Sequence, residues 1–189
     1  MSAPTANAAA TSTTKVRLAT VWLDGCSGCH MSFLDMDQRL LDLAPLIDLV
    51  YSPLVDCKQF PENVDVTLVE GSVSTDEDIH KILAIRQRTR MLIALGDCAV
   101  TGNVPAMRNP FGVEAALDRA YKENVDLQPQ KPTQHLPVLL ERVRPVHEVV
   151  KVDLFVPGCP PPADAIYYVI GELLAGRAPN VGSVTRFGR

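Results

Sequence analysis

Three apolar runs in this chain end in a short glycine-bearing loop that carries cysteine. Val16–Leu23 (VRLATVWL) leads into Asp24-Gly25-Cys26-Ser27-Gly28-Cys29-His30-Met31. Met91–Leu95 leads into Gly96-Asp97-Cys98-Ala99, and Val149–Val156 into Pro157-Gly158-Cys159-Pro160-Pro161-Pro162. Runs of this length, rich in β-branched and apolar residues, read as buried strands. Helical spacing falls between them. A helix is expected from Ser32, with Phe33, Leu34, Met36, Leu40 and Leu41 on one side, and closes at Pro45. Others are expected over Asp76–Arg88, Val113–Tyr121 and Ala163–Leu174. Ile47–Tyr51 and Val64–Val69 complete five strands.

Strands that alternate with helices imply an α/β fold with a parallel sheet flanked by helices. In such sheets, sites form beyond the carboxyl ends of the strands. Cys26, Cys98, Cys159 and Glu70 each follow a strand, so that rule gathers them on one edge. Cys29 joins through its spacing to Cys26.

The length of 189 residues and the 47% hydrophobic content suit one packed domain over residues 15–175. Residues 1–14 read as a disordered arm and residues 176–189 as a tail. The Asn124–Pro145 stretch, polar and Pro-rich, reads as an excursion on the surface or on a partner. A net charge of −4 and few aromatics argue against a nucleic-acid face. No apolar run approaches a membrane span. Met1–Thr14 has no basic or apolar signal region and no Arg-Arg pair, so a cytoplasmic protein is expected.

In a reducing compartment, clustered thiols point to metal binding or catalysis more than to disulfides, and five cysteines do not pair evenly. One Cys-x-x-Cys supplies two ligands, and Cys98 and Cys159 supply the two more that a tetrahedral or cubane site requires. The adjoining glycines let backbone N–H groups approach sulfur, and Pro157 and Pro160–Pro162 stiffen the last loop. Three other readings stay open on spacing alone. A thioredoxin-type redox pair leaves Cys98 and Cys159 unexplained. A four-thiolate zinc site normally uses two compact knuckles, not one pair and two singles about 60–70 residues apart. Unrelated buried cysteines are the third.

Four stretches resemble, in order, the cluster-region motifs of nickel–iron hydrogenase small subunits: Trp22–Ser32, Val69-Glu70-Gly71-Ser72, Leu95–Ala99 and Val156–Pro161. The resemblance runs from Val16 to about Ala175. The related complex I subunit shares the last two motifs but has an adjacent Cys-Cys pair where this chain has Cys26-Ser27-Gly28-Cys29. With no cysteine after Cys159, the chain is most similar to the short small subunits of the bidirectional, NAD-reducing soluble hydrogenases. That resemblance implies a flavodoxin-like, three-layer fold and one 4Fe–4S cluster on Cys26, Cys29, Cys98 and Cys159. It implies a large subunit with the nickel–iron centre, and diaphorase subunits with FMN, further iron–sulfur clusters and the NAD site. The implied role is electron transfer in H2 + NAD+ = NADH + H+. A complex I-like, quinone-linked subunit and a flavodoxin-type FMN carrier are the alternatives.

Glu70 is a candidate for a proton or water path by the same resemblance; a helix-cap or interface carboxylate is the plainer reading. Asp24 and Asp97 read as loop-shaping residues ahead of proton relay, and His30 as an interface residue ahead of one that hydrogen-bonds near the cluster. Trp22 reads as core packing ahead of stacking near the cluster loop, and Cys57 as a non-ligand thiol ahead of a redox-linked or alternative ligand. His80 reads as a solvated helix residue, and His135 and His147 carry no assigned role. No Gly-x-Gly-x-x-Gly follows the first strand, so no NAD site is placed on this chain.

Overall fold

Five strands form one parallel sheet in the computed structural model, which describes residues 14–187. The strands are β1 (Val16–Trp22), β2 (Ile47–Tyr51), β3 (Val64–Glu70), β5 (Thr89–Leu95) and β7 (Leu154–Val156), in the order β2-β1-β3-β5-β7. The short strands β4 (Val73–Thr75) and β6 (Leu139–Arg144) form a separate pair. Counted along the main sheet, this is the 2-1-3-4-5 order of flavodoxin-like folds, and its switch point lies between β1 and β3. Neighbours run in register, with Trp22 beside Glu70 and Glu70 beside Leu95. The carboxyl ends of the three central strands are therefore level. The arm expected over residues 1–14 lies, but for Thr14, outside the described residues.

Side chains alternate across the strands and fill two cores. On one face Leu18, Leu68, Ile93 and Leu95 pack with Phe33, Met36, Ile166 and Ile170. These come from α1 (Gly28–Leu34), the loop after it, and α6 (Ala163–Leu174); α2 (Arg39–Leu43) adds Leu43. On the other face Val21, Val69, Leu92 and Ala94 meet Ile82 and Ile85 of α3 (Asp76–Arg88) and Ala99 and Val100 of α4 (Asp97–Thr101). The result is helix, sheet, helix: the expected three layers. The Thr75 hydroxyl accepts the Asp78 N–H at 3.1 Å and the Asp78 carboxylate accepts the Thr75 N–H at 3.0 Å, a capping box that starts α3.

Several local expectations are corrected. The helix expected from Ser32 begins inside the cysteine loop at Gly28 and breaks at Asp35–Gln38 before α2. The loop expected over Thr101–Gly112 contains a 3-10 turn at Pro105–Arg108, and the helix expected over Val113–Tyr121 is α5 (Val113–Asp118) continued by a π-helical turn at Arg119–Glu123. The Asn124–Pro145 stretch is not all excursion. Its end, β6, pairs antiparallel with β4, and Asn109 bonds Val143 in both directions at 2.8 and 2.9 Å. The last strand, expected over Val149–Val156, is only Leu154–Val156, because residues 149–153 form a turn and irregular backbone before it.

Candidate metal centre

Each cysteine loop is held by backbone bonds that continue the sheet past its last residues. After β1, Asp24 N–H donates to Ser72 O at 3.0 Å and Ser72 N–H returns to Asp24 O at 2.7 Å. This ties the first cysteine loop to the loop after β3. Gly71 makes the approach possible: its φ is +89°, and a Cβ there would lie 2.8–2.9 Å from Leu23 and Asp24 backbone atoms. After β5 and β7 the same device recurs. Asp97 N–H donates to Gly158 O at 2.8 Å, and the Asp97 carboxylate accepts the Gly158 N–H at 2.7 Å. Asp97 thus shapes its loop as expected. Asp24 does so through its backbone.

The two halves meet at the cysteines. A Cβ built on Gly96 would fall 2.2 Å from Cys29 Sγ, 3.5 Å from Gly158 O and 3.7 Å from Pro161 Cδ. One on Gly28 would lie 3.2 Å from Cys26 Sγ and 4.0 Å from Pro160 Cβ. The Ser32 hydroxyl crosses the same seam to donate to Pro161 O. Cys26, Cys29, Cys98 and Cys159 thus share one edge although they come from three loops. Cys29 is buried, Cys98 half-buried, and Cys26 and Cys159 exposed.

Electrostatics register the crowding. Burial pushes the Cys29 thiol well above its ordinary value, and Glu70, Cys98, Cys26 and Cys159 push it further. Burial also raises Cys98, as do Cys159 and Cys26, while the Asn103 amide opposes them. Four thiolates gathered here repel one another unless cations stand between them. Among the described residues no three His, Cys, Asp or Glu side chains close around a single ion. Four thiols from three loops, brought to one edge of the sheet, are the number of donors that a tetrahedral or cubane site requires.

Glu70 lies behind the cysteines, buried. Its Oε2 accepts the His30 backbone N–H at 3.0 Å and also meets His30 Nδ1. His30 Nε2 meets Thr20 Oγ1 at 3.1 Å, and Thr20 donates to Ser52 Oγ at 2.8 Å. His30 is therefore an interior residue and not the interface residue expected, since its ring has hydrogen-bond partners on both nitrogens inside the core. Trp22 reverses the other way. It is 43% exposed, and its indole N–H donates to Gly25 O at 3.1 Å, so it lies on the first cysteine loop and not in the core. Cys57 is exposed, in the loop after β2, with its thiol on Gln59 O at 3.1 Å. His80, His135 and His147 are exposed. Asn103, which the sequence did not single out, places its amide 3.5 Å from Cys159 Sγ. Its position next to Gly102, shortly after a candidate ligand, was the available signal.

Residues 26–173 match the family described as NADH ubiquinone oxidoreductase, 20 Kd subunit. The delta subunit of the NAD-reducing hydrogenase HoxS from Cupriavidus necator is 43% identical over 92% of this chain and 86% of its own length. A subunit of the F420-non-reducing hydrogenase vhu of Methanocaldococcus jannaschii is 37% identical over 89% of this chain, which spans 59% of that relative. Among solved structures, a chain of an NAD+-reducing NiFe hydrogenase in the H2-reduced state superposes with a TM-score of 0.87. It is 43% identical, covering 92% of this chain and 99% of that one. Among the described residues no helix is long and apolar enough to cross a membrane.

Proposed function

This chain belongs to the NADH ubiquinone oxidoreductase 20 Kd subunit family, and from that membership we propose that it is the electron-transfer small subunit of an NAD-reducing nickel–iron hydrogenase. The observation that carries the reading is the meeting of Cys26, Cys29, Cys98 and Cys159 at one sheet edge, in a chain so similar to the HoxS delta subunit.

Cys26, Cys29, Cys98 and Cys159 would hold one 4Fe–4S cluster, and that group supplies one-electron redox chemistry when bound. The chain's own residues do the rest. Gly96 leaves the space that Cys29 Sγ enters. The reciprocal bonds of Asp97 and Gly158 keep Cys98 and Cys159 at a fixed separation. The core around Cys29 keeps water from the inner side, while the exposed Cys26 and Cys159 leave the outer side for a partner. Rigid donors suit a group that changes charge without moving.

Hydrogen would be split on a large subunit that holds the nickel–iron centre. Each H2 yields two electrons and two protons. The electrons would pass one at a time through this chain toward diaphorase subunits carrying FMN and further iron–sulfur clusters. There NAD+ would take both electrons and one proton to become NADH, with the second proton released. Cytoplasmic placement belongs to the same reading, because NAD+ is used there. A part for Glu70 in a proton or water path rests on the family resemblance; its bonds to His30 support a role in holding the first cysteine loop.

The test is the content of iron, acid-labile sulfide, nickel and flavin in the anaerobically purified complex, assigned per subunit. About four iron and four sulfide on this chain, with nickel on its partner, are expected. One zinc without sulfide would overturn the reading. A quinone-reducing membrane partner would favour a complex I-like subunit, and flavin without iron an FMN carrier.

A further inference from the structure

On the reading that these four cysteines hold a cluster, we propose that Asn103 tunes its reduction potential by donating hydrogen bonds from one amide to two ligand sulfurs. Asn103 Nδ2 lies 3.5 Å from Cys159 Sγ and 4.0 Å from Cys98 Sγ. It bridges cysteines 61 residues apart in the chain. Both distances fall in the longer range of hydrogen bonds to sulfur. The orientation is chemically forced. Thiolate sulfurs accept, so an amide placed between two of them turns its N–H donors inward and its oxygen away.

The backbone delivers the amide to that point. α4 ends at Gly102, whose N–H caps Cys98 O at 2.9 Å with a φ of +87°. Asn103 follows with a φ of 34°, a left-handed conformation that asparagine tolerates better than most residues. Its carbonyl then accepts the Ala106 N–H at 3.2 Å, which opens the turn at Pro105–Arg108. The chain thus turns back over Cys98 directly after the helix that carries it, and residue 103 is half-buried against both sulfurs. A β-branched side chain is disfavoured at that φ.

The consequence is electrostatic. Each electron added to a cluster makes its sulfurs more negative, so an N–H donor stabilises the reduced state more than the oxidised one and raises the potential. Asn103 acts through the ligands, as a positioning and tuning residue. Asn103→Gly keeps the left-handed turn and removes the donor. Asn103→Asp keeps the shape and replaces the donor by an acceptor.

The experiment is a redox titration followed by electron paramagnetic resonance on the anaerobically purified complex, tracking the signal that Cys98→Ser removes. Iron and sulfide are counted on the same samples. With iron retained, the midpoint potential is expected to shift negative in Asn103→Gly and further negative in Asn103→Asp. A variant that keeps its iron and shows an unchanged or more positive midpoint would overturn the proposal. So would loss of iron from both variants, which would make Asn103 a requirement for assembly. A wild-type complex with no cluster on this chain would instead overturn the function proposed above, and this inference with it.

Discussion

His30 and Glu70 face each other in the protein interior, with side chains 5% and 2% exposed, and Glu70 Oε2 serves both the ring Nδ1 and the backbone N–H of His30. His30 is the residue after Cys29 in the chain, and Glu70 ends the neighbouring strand. One carboxylate therefore pins the first turn of α1 to β3. Thr20 and Ser52 extend the contact toward β2 by continuous hydrogen bonds, and the Leu54 N–H closes it on Ser52 Oγ at 3.2 Å. The cysteine loop is anchored from below by this chain of buried hydrogen bonds.

Removing that carboxylate strands two donors in the core. Glu70→Ala is expected to destabilise the protein by about 2–3 kcal/mol, the scale for leaving buried donors without an acceptor. Glu70→Gln, which keeps an oxygen for the His30 N–H, is expected to cost less. Thermal melts of the two variants against wild type check the order. A Glu70→Ala melting temperature equal to wild type would show that the carboxylate holds nothing.

The candidate ligands and the remaining thiol separate by substitution. Cys98→Ser is expected to lose iron and sulfide and to abolish H2-dependent NAD+ reduction. Cys57→Ser, at an exposed loop thiol bonded to Gln59 O, is expected to change neither. Iron analysis and an NADH absorbance assay give both readings on one preparation.

Gly96→Ala places a methyl where Cys29 Sγ now lies, at a φ of +83°. The backbone strain costs about 1–2 kcal/mol, and the displaced sulfur should cost the chain its iron. Gly171→Ala in α6 is the control. It meets nothing within 4 Å, so it is expected to leave iron content intact and to raise stability by about 0.5–1 kcal/mol. Iron loss in both variants would indicate a general folding defect and not a blocked cradle.

Asp153, just before β7, gives a pH dependence. Burial alone would raise its carboxyl, but the Leu92 N–H and the Arg86 guanidinium outweigh burial and hold it below the usual carboxylate range. The Leu92 N–H lies 2.9 Å and Arg86 Nη1 2.6 Å from Oδ2. A depressed folded value means that its stabilisation is complete above the unfolded value of about 4 and fades as pH falls through the folded one. Asp153→Asn is expected to cost about 1–2 kcal/mol at pH 7. That gap should close in acid, as melts from pH 7 down to pH 3 would record. A gap that widened in acid would contradict the assignment.

Long apolar runs made the five sheet strands legible, and the rule that sites sit at strand carboxyl ends brought the four cysteines together from residue order alone. What escaped was short or locally unsupported. Val73–Thr75 is three residues, too few to show a period of two, so its pairing with Leu139–Arg144 was invisible inside a Pro-rich polar stretch. α1 starts at Gly28 after Ser27 at a φ of 67°, with no side-chain cap to announce it. Trp22 was misplaced because the alternation that assigns faces inside a strand ends where the strand does, and there its ring turns to a partner that the adjoining loop supplies. His30 was misplaced because its main partner, Glu70, lies 40 residues away in the sequence and is brought to it only by the sheet. Asn103 belonged to no motif, and only the fold sets it between two cysteines.

β7 is among the shortest strands, sits at the edge of the sheet and pairs only with β5. The loop it launches carries Cys159, the last cysteine in the chain. During synthesis the first three candidate ligands emerge well before the fourth, and β2, β1, β3 and β5 can pair before β7 has left the ribosome. A nascent chain thus holds three of the four candidate ligands, and the set is complete only once a three-residue strand has joined the sheet.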